Sequence, residues 1–284
     1  MKNLKLIGVD GATERLLQDL ADAGRYSMEE LIEEIFHTSV QIGGETYDRT
    51  NISIHNIGFG QGYDTQLEQA AKQLGLPTQN TGEHLDDTGF LGNISRDPDL
   101  NDPDLNDPAV ELAKQLGYHA PAIVHMKDLL RTVIAGIDYD QQVYDGEGNE
   151  IRDQGILIAT RDDILKQANP YRGSWLTDRF ELEEGRLTHI YTVFKDGELE
   201  EIREPLDETT LMEDRLIDLG GWLRNPKILP QEGISSGDLT YWYPRDKSVV
   251  GFNANAYRVV LGCGADPRYS NSRLGVRACA RAEN

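Results

Sequence analysis

The fold of this 284-residue chain is indicated by two short stretches near its end, GGWLRNP (residues 220–226) and LGVRACA (residues 274–280). Both are rich in Gly and Arg, whereas the whole chain has 49 Asp and Glu against 28 Lys and Arg and a formal net charge of −21. Residues 220–284 have 9 basic and 5 acidic side chains, and so a net charge of +4. The end of the chain therefore presents a different kind of surface from the rest.

The composition limits the classes of partner and location. The negative charge repels phosphate backbones and anionic membrane surfaces, so we expect no nucleic-acid partner. No run of 18 apolar residues is present, and the first residues lack the apolar core of a signal peptide. We expect synthesis in the cytoplasm with no signal peptide and no membrane span, and leave virion association or surface display open.

Cysteine usage predicts neither a disulfide framework nor a metal site. Cys263 and Cys279 are the only cysteines, and neither has His or Cys neighbours at zinc-ligand spacing. We expect two free thiols, with a single disulfide between them as the alternative, and no cofactor or metal.

The chain divides at a proline-rich stretch. Its opening third alternates β-like runs with amphipathic helical patterns, which is typical of a mixed α/β region. RDPDLNDPDLNDP repeats Asp before Pro, and Pro restricts its predecessor to extended or turn backbone. We therefore predict an N-terminal region at residues 1–108, including a linker at 78–108, and a second domain at 109–284. The repeated aspartates are read as solvated turns, with a calcium site as the alternative.

Three later stretches carry secondary-structure predictions. MKDLLRTVIAG predicts a helix, and GILIATRDDILKQA predicts a strand running into a helix capped by Thr160 or Asp162. RLTHIYTVFKDGELEEIRE predicts a hairpin that turns at residues 196–197. One or two helical turns are expected before Trp222, and no helix after it.

Several short motifs point to catalysis or cofactor binding and are interpreted otherwise. GFGQG (58–62) lacks the spacing and the distant acidic residue of a dinucleotide site, which favours a structural glycine turn. GISSG (233–237) follows Pro230 and precedes a strand, which favours a flexible loop over a nucleophile elbow. The six histidines are scattered, so isolated polar or core roles are expected of them: His37, His55, His84, His119, His125 and His189.

The aromatic stretch TYWYPR (240–245) predicts a recognition surface. Alternation along a strand places Tyr241 and Tyr243 on the face opposite Trp242. We expect the two tyrosines and Arg245 to be exposed, and Trp242 to be anchored in the core below them.

Together these stretches resemble the end of C-type-lectin-fold domains of the formylglycine-generating-enzyme type. In that family a Trp-Leu-Arg stretch precedes a terminal Gly-Val-Arg or Gly-Phe-Arg strand, and the match covers about residues 220–281. The resemblance implies an α+β fold with a C-type-lectin-like domain. The expected structural residues are Trp222, Arg224, Trp242, Gly275, Val276 and Arg277.

Within that fold, the chain resembles the variable proteins of diversity-generating retroelements, which occur in phages, bacteria and archaea. Their C-terminal codons are rewritten at adenines, mostly in Asn codons that never become Lys, Glu, Gln, Met or Trp. Residues 248–282 contain none of those five types. This predicts a variable region at about 239–282, whose ligand-binding face comprises Tyr241, Tyr243, Arg245, Asn253, Asn255, Tyr257, Val259, Gly262, Gly264, Arg268, Tyr269, Asn271 and Arg273.

The resemblance implies a non-enzymatic protein that binds a protein or cell-surface ligand. For residues 1–108 two roles stay open, oligomerisation and attachment to a larger particle. Three alternatives stay open. One is a copper-dependent oxidase of the formylglycine-generating type, for which Cys263 and Cys279 are the only candidate ligands. A second is a sugar-binding lectin, although the calcium-lectin motifs are missing. The third is a structural or surface protein without variability.

Overall fold

The structure, a computed structural model, describes only part of the chain. The described residues are 39–42, 45–48, 50–52, 73, 119–143, 150–166, 173–195, 198–254, 258–269, 274–276 and 279–281. The GFGQG stretch, the Asp-Pro stretch and the predicted boundary at residue 108 lie outside them.

A mixed sheet forms the centre of the described part. Seven strands are hydrogen-bonded in the order β6-β5-β4-β9-β10-β8-β7, and the short β11 pairs with β4. Their bounds are β4 Gly173–Glu183, β5 Arg186–Lys195, β6 Glu198–Pro205, β7 Arg215–Ile217, β8 Leu239–Trp242, β9 Ser248–Ala254, β10 Val259–Ala265 and β11 Leu274–Val276. Most neighbours are antiparallel, but β10 runs parallel to β8 and β11 runs parallel to β4.

In the described residues, three helices accompany this sheet: α1 Ile123–Tyr139, α2 Gln154–Leu165 and α3 Leu219–Arg224. One large apolar core joins residues of all three helices to one face of the sheet, including Leu130 of α1, Leu157 of α2, Trp222 of α3 and Phe252 of β9. Where these residues pack, that face is closed to solvent, so a large ligand must use the opposite face or the edges.

A buried carboxylate joins α1 to the sheet. The first N–H groups of a helix have no partner within the helix, and the N–H of Ile123 donates to Oδ2 of Asp178 on β4 at 2.7 Å. The N–H of Ala122 donates to Nδ1 of His125 at 2.9 Å. Burial lowers the pKa of His125 to about 4, which keeps the ring neutral and its nitrogen able to accept.

Two hairpins build one end of the sheet. β5 and β6 pair from Lys195 opposite Glu198 onward, which confirms the predicted hairpin at residues 196–197. β4 and β5 are joined by Glu184 and Gly185, both with positive φ (50° and 80°), as the tight turns of twisted hairpins require.

Short strands outside the main sheet connect distant parts of the chain. β1 Ser39–Ile42 pairs with β2 Glu45–Asp48 in an antiparallel ribbon. β3 Thr50–Ile52 pairs with β12 Cys279–Arg281, so a strand near the start of the chain meets the last strand of the described part. In the described part, no helix is both long and apolar enough to span a membrane.

The α+β class predicted from the sequence is confirmed, while two local predictions are wrong. GILIA belongs to α2 rather than to a strand, because Asp153 caps the helix earlier by accepting from the Gly155 N–H at 2.8 Å. Leu157, Thr160 and Ile164 are then buried along one helical side. Trp222 lies inside α3 instead of after a helical turn.

Candidate ligand-binding surface

The predicted orientation of the aromatic strand is inverted. Tyr241 is fully buried and packs in the main core, whereas Trp242 is 47% exposed. The alternation itself holds, but the helices cover the face that carries Leu239 and Tyr241, so Trp242 points away from them. Tyr241 is therefore a core residue and Trp242 an exposed one.

Burial also affects the chemistry of Tyr241. Desolvation raises the pKa of its hydroxyl above the ordinary value. The hydroxyl is buried without a hydrogen-bond partner among the described residues. Tyr241 consequently has no role at the surface.

Trp242 packs over Gly262, one of two glycines that lie in a row across the sheet. The strand register aligns Trp242 of β8 with Gly262 of β10, Gly251 of β9 and Trp175 of β4. A Cβ on Gly262 would lie 3.3 Å from Cε3 of Trp242, and one on Gly251 would lie 3.4 Å from Cζ3 of Trp175. The glycines make room for the two indoles, which therefore lie across the sheet.

Arg245 and Tyr243 extend this surface beyond the end of β8. The guanidinium carbon of Arg245 lies 4.9 Å from the centroid of the Tyr243 ring, a cation–π geometry. Asp214 accepts a hydrogen bond from the Tyr243 N–H at 3.1 Å and lies 3.9 Å from Arg245. Gly264 lies close to the Tyr243 carbonyl and the Arg245 side chain, which places the end of β10 beside this group.

The loop after β10 adds two exposed side chains. Arg268 makes an ion pair with Asp266 at 2.8 Å, and Tyr269 is 54% exposed. Because β8 and β10 run parallel, their carboxyl ends lie at one edge of the sheet. We call the resulting group the Trp242 surface; it consists of Trp242, Tyr243, Arg245, Gly262, Gly264, Arg268 and Tyr269.

The remaining predicted face residues divide by strand position. Asn253 is half-buried and opposes Val260 on the face away from the helices. Val259 lies in the main core, so its predicted place on a ligand-binding face is wrong; it points to the same side as Leu261 and Cys263. Gly262 is covered by Trp242 although it lies on the exposed face. The positions outside the described residues are Asn255, Tyr257, Asn271 and Arg273.

The expected structural residues have mixed environments. Trp222 is buried, and its indole N–H donates to the Ile228 carbonyl at 2.9 Å. Arg224 is exposed, 4.0 Å from Asp218, so it packs into no core. Gly275 and Val276 lie on β11 opposite Ser174 and Trp175, and Arg277 lies outside the described residues.

Cys263 is a free thiol with no exposed surface. Burial raises the pKa of the thiol well above its usual value, and Asp178 adds to the shift. Among the described residues, no group of three His, Cys, Asp or Glu side chains is arranged to hold a metal ion.

Sequence reasoning missed a buried polar pair. Nε2 of His189 lies 2.7 Å from Oδ1 of Asp178, and both side chains are buried. His189 also stacks on Phe180 with ring centroids 4.9 Å apart. The period-2 pattern of β5 places His189 with Tyr191 on one face, but nothing in the sequence indicates that Asp178 lies beside it.

Comparisons with known proteins give no relative. No protein-family model matches the chain, and neither a curated protein nor a solved structure similar to it was found.

Proposed function

We propose that this chain is a recognition protein that binds a macromolecular ligand through the Trp242 surface. The observation that carries the proposal is the exposed indole of Trp242 on a sheet face, at the edge where the loops with the exposed Arg245 and Tyr269 begin. Trp, Tyr and Arg are the residue types that dominate binding energy in protein interfaces. A ligand that covered this surface would bury an aromatic side chain that solvent now contacts.

The support beneath this surface suits a binding role. Trp242 lies on the main sheet, where backbone pairing to β7 and β10 fixes its position. Loops that a rigid scaffold holds in place accept many different side chains without loss of the fold. We infer that the loops after β8 and β10 carry specificity, while the sheet and its core keep one structure.

We further propose that this surface belongs to a C-type-lectin-like domain and that a diversity-generating retroelement rewrites its codons. The absence of Lys, Glu, Gln, Met and Trp from residues 248–282 supports it. β10 provides a sharp expectation because its residues alternate between core and surface. Val259, Leu261 and Cys263 lie in the core, so their codons should be spared.

The experiment is deep sequencing of the codons for residues 239–282 in a population of the source organism, with a search of adjacent DNA for a near-identical repeat. We expect substitutions at template adenines that concentrate at Arg245, Asn253, Arg268 and Tyr269. The matched control is the β4–β5 hairpin, residues 173–195, which should not vary. An invariant window with no repeat nearby would leave a fixed recognition or structural protein. Variation spread equally over core and surface positions of β10 would contradict the assigned face.

A direct binding test complements the sequencing. The probe is a ligand selected from a display library for binding to the native chain. Trp242→Ala should weaken its binding at least about tenfold, as expected for an interface anchor. Ile158→Ala removes an exposed apolar side chain on α2 and serves as the control. Equal binding by both variants would place the interface elsewhere.

A further inference from the structure

A cavity of about 230 Å³ lies beside the buried His189–Asp178 pair, at the β5–β6 end of the main sheet. It is partly open to solvent and is bounded by the end of β6, the segment after it and the loop that follows α3. Its walls include Leu206, Ile228 and Leu229, and its polar groups include His189, Glu204 and Thr210. A cavity of about 150 Å³ holds a benzene molecule, so this one accommodates a slightly larger compound.

His189 contributes an oriented ring to the cavity. The side chain is 2% exposed and lines the space. Asp178 accepts at Oδ2 from the Ile123 N–H and at Oδ1 from Nε2 of His189. The proton of a neutral ring therefore sits on Nε2, and Nδ1 is left as an acceptor with no hydrogen-bond partner among the described residues.

Glu204 gives the cavity an uncompensated negative charge. Glu204 lies opposite His189 in the β5–β6 pairing, so the two side chains share a face. Its carboxylate accepts from the Tyr191 hydroxyl at 3.3 Å, and no cation of the described residues pairs with it. The other charged pair at the rim, Asp207 and Lys227, is mutually neutralised.

The outer wall of the cavity is fixed by buried donors. Nζ of Lys127 donates to the carbonyls of Asn225 at 2.8 Å and Lys227 at 2.6 Å. The Trp222 indole holds the Ile228 carbonyl. These contacts hold the loop after α3 in place before any ligand arrives, which reduces the entropic cost of binding.

We propose that this cavity binds a small primary ammonium compound with a compact apolar body. The ammonium group donates to the Glu204 carboxylate and to Nδ1 of His189, and the apolar body packs against Leu206, Ile228 and Leu229. The size of the cavity corresponds to a ligand of roughly six to ten non-hydrogen atoms. This site is separate from the Trp242 surface and does not depend on that function.

The test is isothermal titration calorimetry of the full chain at pH 8 with phenethylammonium, 3-phenylpropionate and 2-phenylethanol as probes of similar shape. We expect phenethylammonium to bind with a Kd of about 0.1–1 mM, as for a ligand of this size, and at least about tenfold more tightly than the other two probes. Glu204→Gln should weaken its binding at least about tenfold, since the charge is lost while the shape is kept.

Glu200→Gln is the matched control, because Glu200 lies on the same strand and face of β6 but outside the cavity. It should bind phenethylammonium like the unaltered chain. Circular dichroism of both variants verifies the fold. Equal or tighter binding of 3-phenylpropionate would overturn the cation assignment. Absent binding of all probes, or binding that Glu204→Gln leaves unchanged, would overturn the site.

Discussion

Lys127 gives the protein a specific dependence of stability on pH. It lies in the interior of α1, is 6% exposed and caps the carbonyls of Asn225 and Lys227. Desolvation and, to a smaller extent, the charge of Arg131 lower the pKa of its ammonium group from 10.5 to about 7. The folded protein therefore releases this proton near neutrality, whereas the unfolded chain holds it to higher pH.

The sign and size of the effect follow from that difference. Between about pH 7 and 10.5, unfolding takes up one proton at Lys127, so raising the pH through this window stabilises the folded state. Each pH unit contributes about 1.4 kcal/mol per proton. From pH 7.5 to 9, the gain from Lys127 is about 2 kcal/mol.

The assay is urea denaturation of the unaltered chain and of Lys127→Met at pH 7.5 and 9. Lys127→Met has no titrating group at this position, so its free energy of unfolding lacks the gain of about 2 kcal/mol on raising the pH. Lys166→Met removes a lysine that is 65% exposed and should keep the gain. The contributions of other titrating groups to the pH dependence are the same in all three proteins, so they cancel when the gains are compared. An equal gain in Lys127→Met and in the unaltered chain would show that Lys127 does not carry the pH dependence.

Three further predictions concern stability and reactivity. Asp178→Ala should lower the free energy of unfolding, measured by urea denaturation, by about 3–5 kcal/mol, because it leaves a helix N–H and a buried imidazole without their acceptor. A decrease below about 1 kcal/mol would contradict this role of Asp178. Glu184→Asn should raise the free energy of unfolding by about 0.5–1 kcal/mol, because Asn tolerates the φ of 50° better than Glu. The urea midpoint should rise while the slope of the transition is unchanged; a lower midpoint would contradict the left-handed backbone at this turn. Cys263, studied in a Cys279→Ser background, should resist a thiol reagent until urea unfolds the chain, since its thiol is buried and its pKa is raised; rapid labelling of the folded protein would place the thiol at the surface.

Some features were predictable because they depend on short-range chemistry. The β5–β6 hairpin follows from an Asp-Gly pair between alternating runs. The α1 helix follows from apolar spacing in MKDLLRTVIAG. The α2 helix was mistaken at its start because the apolar run GILIA fits either a strand or a buried helix, and only the Asp153 cap decides between them.

The candidate surface was predicted in part. The sequence points to residues 240–245 and to the loop after β10, and Arg245, Arg268 and Tyr269 are exposed there. It fails for Tyr241 and Val259, which lie in the core. In a strand with large apolar or aromatic side chains on both faces, alternation separates the faces without telling which one the helices cover.

Composition and local pattern are enough to predict the α+β class, the acidic body with a basic end, the tight hairpin and the concentration of aromatic and Arg residues near the C-terminus. The tertiary structure alone decided that Trp242 faces solvent over Gly262, that Asp178 meets His189, and that Lys127 is buried under the loop after α3. The physical reason is that local patterns record backbone preference and periodicity, whereas burial and polar partners depend on which distant elements pack together.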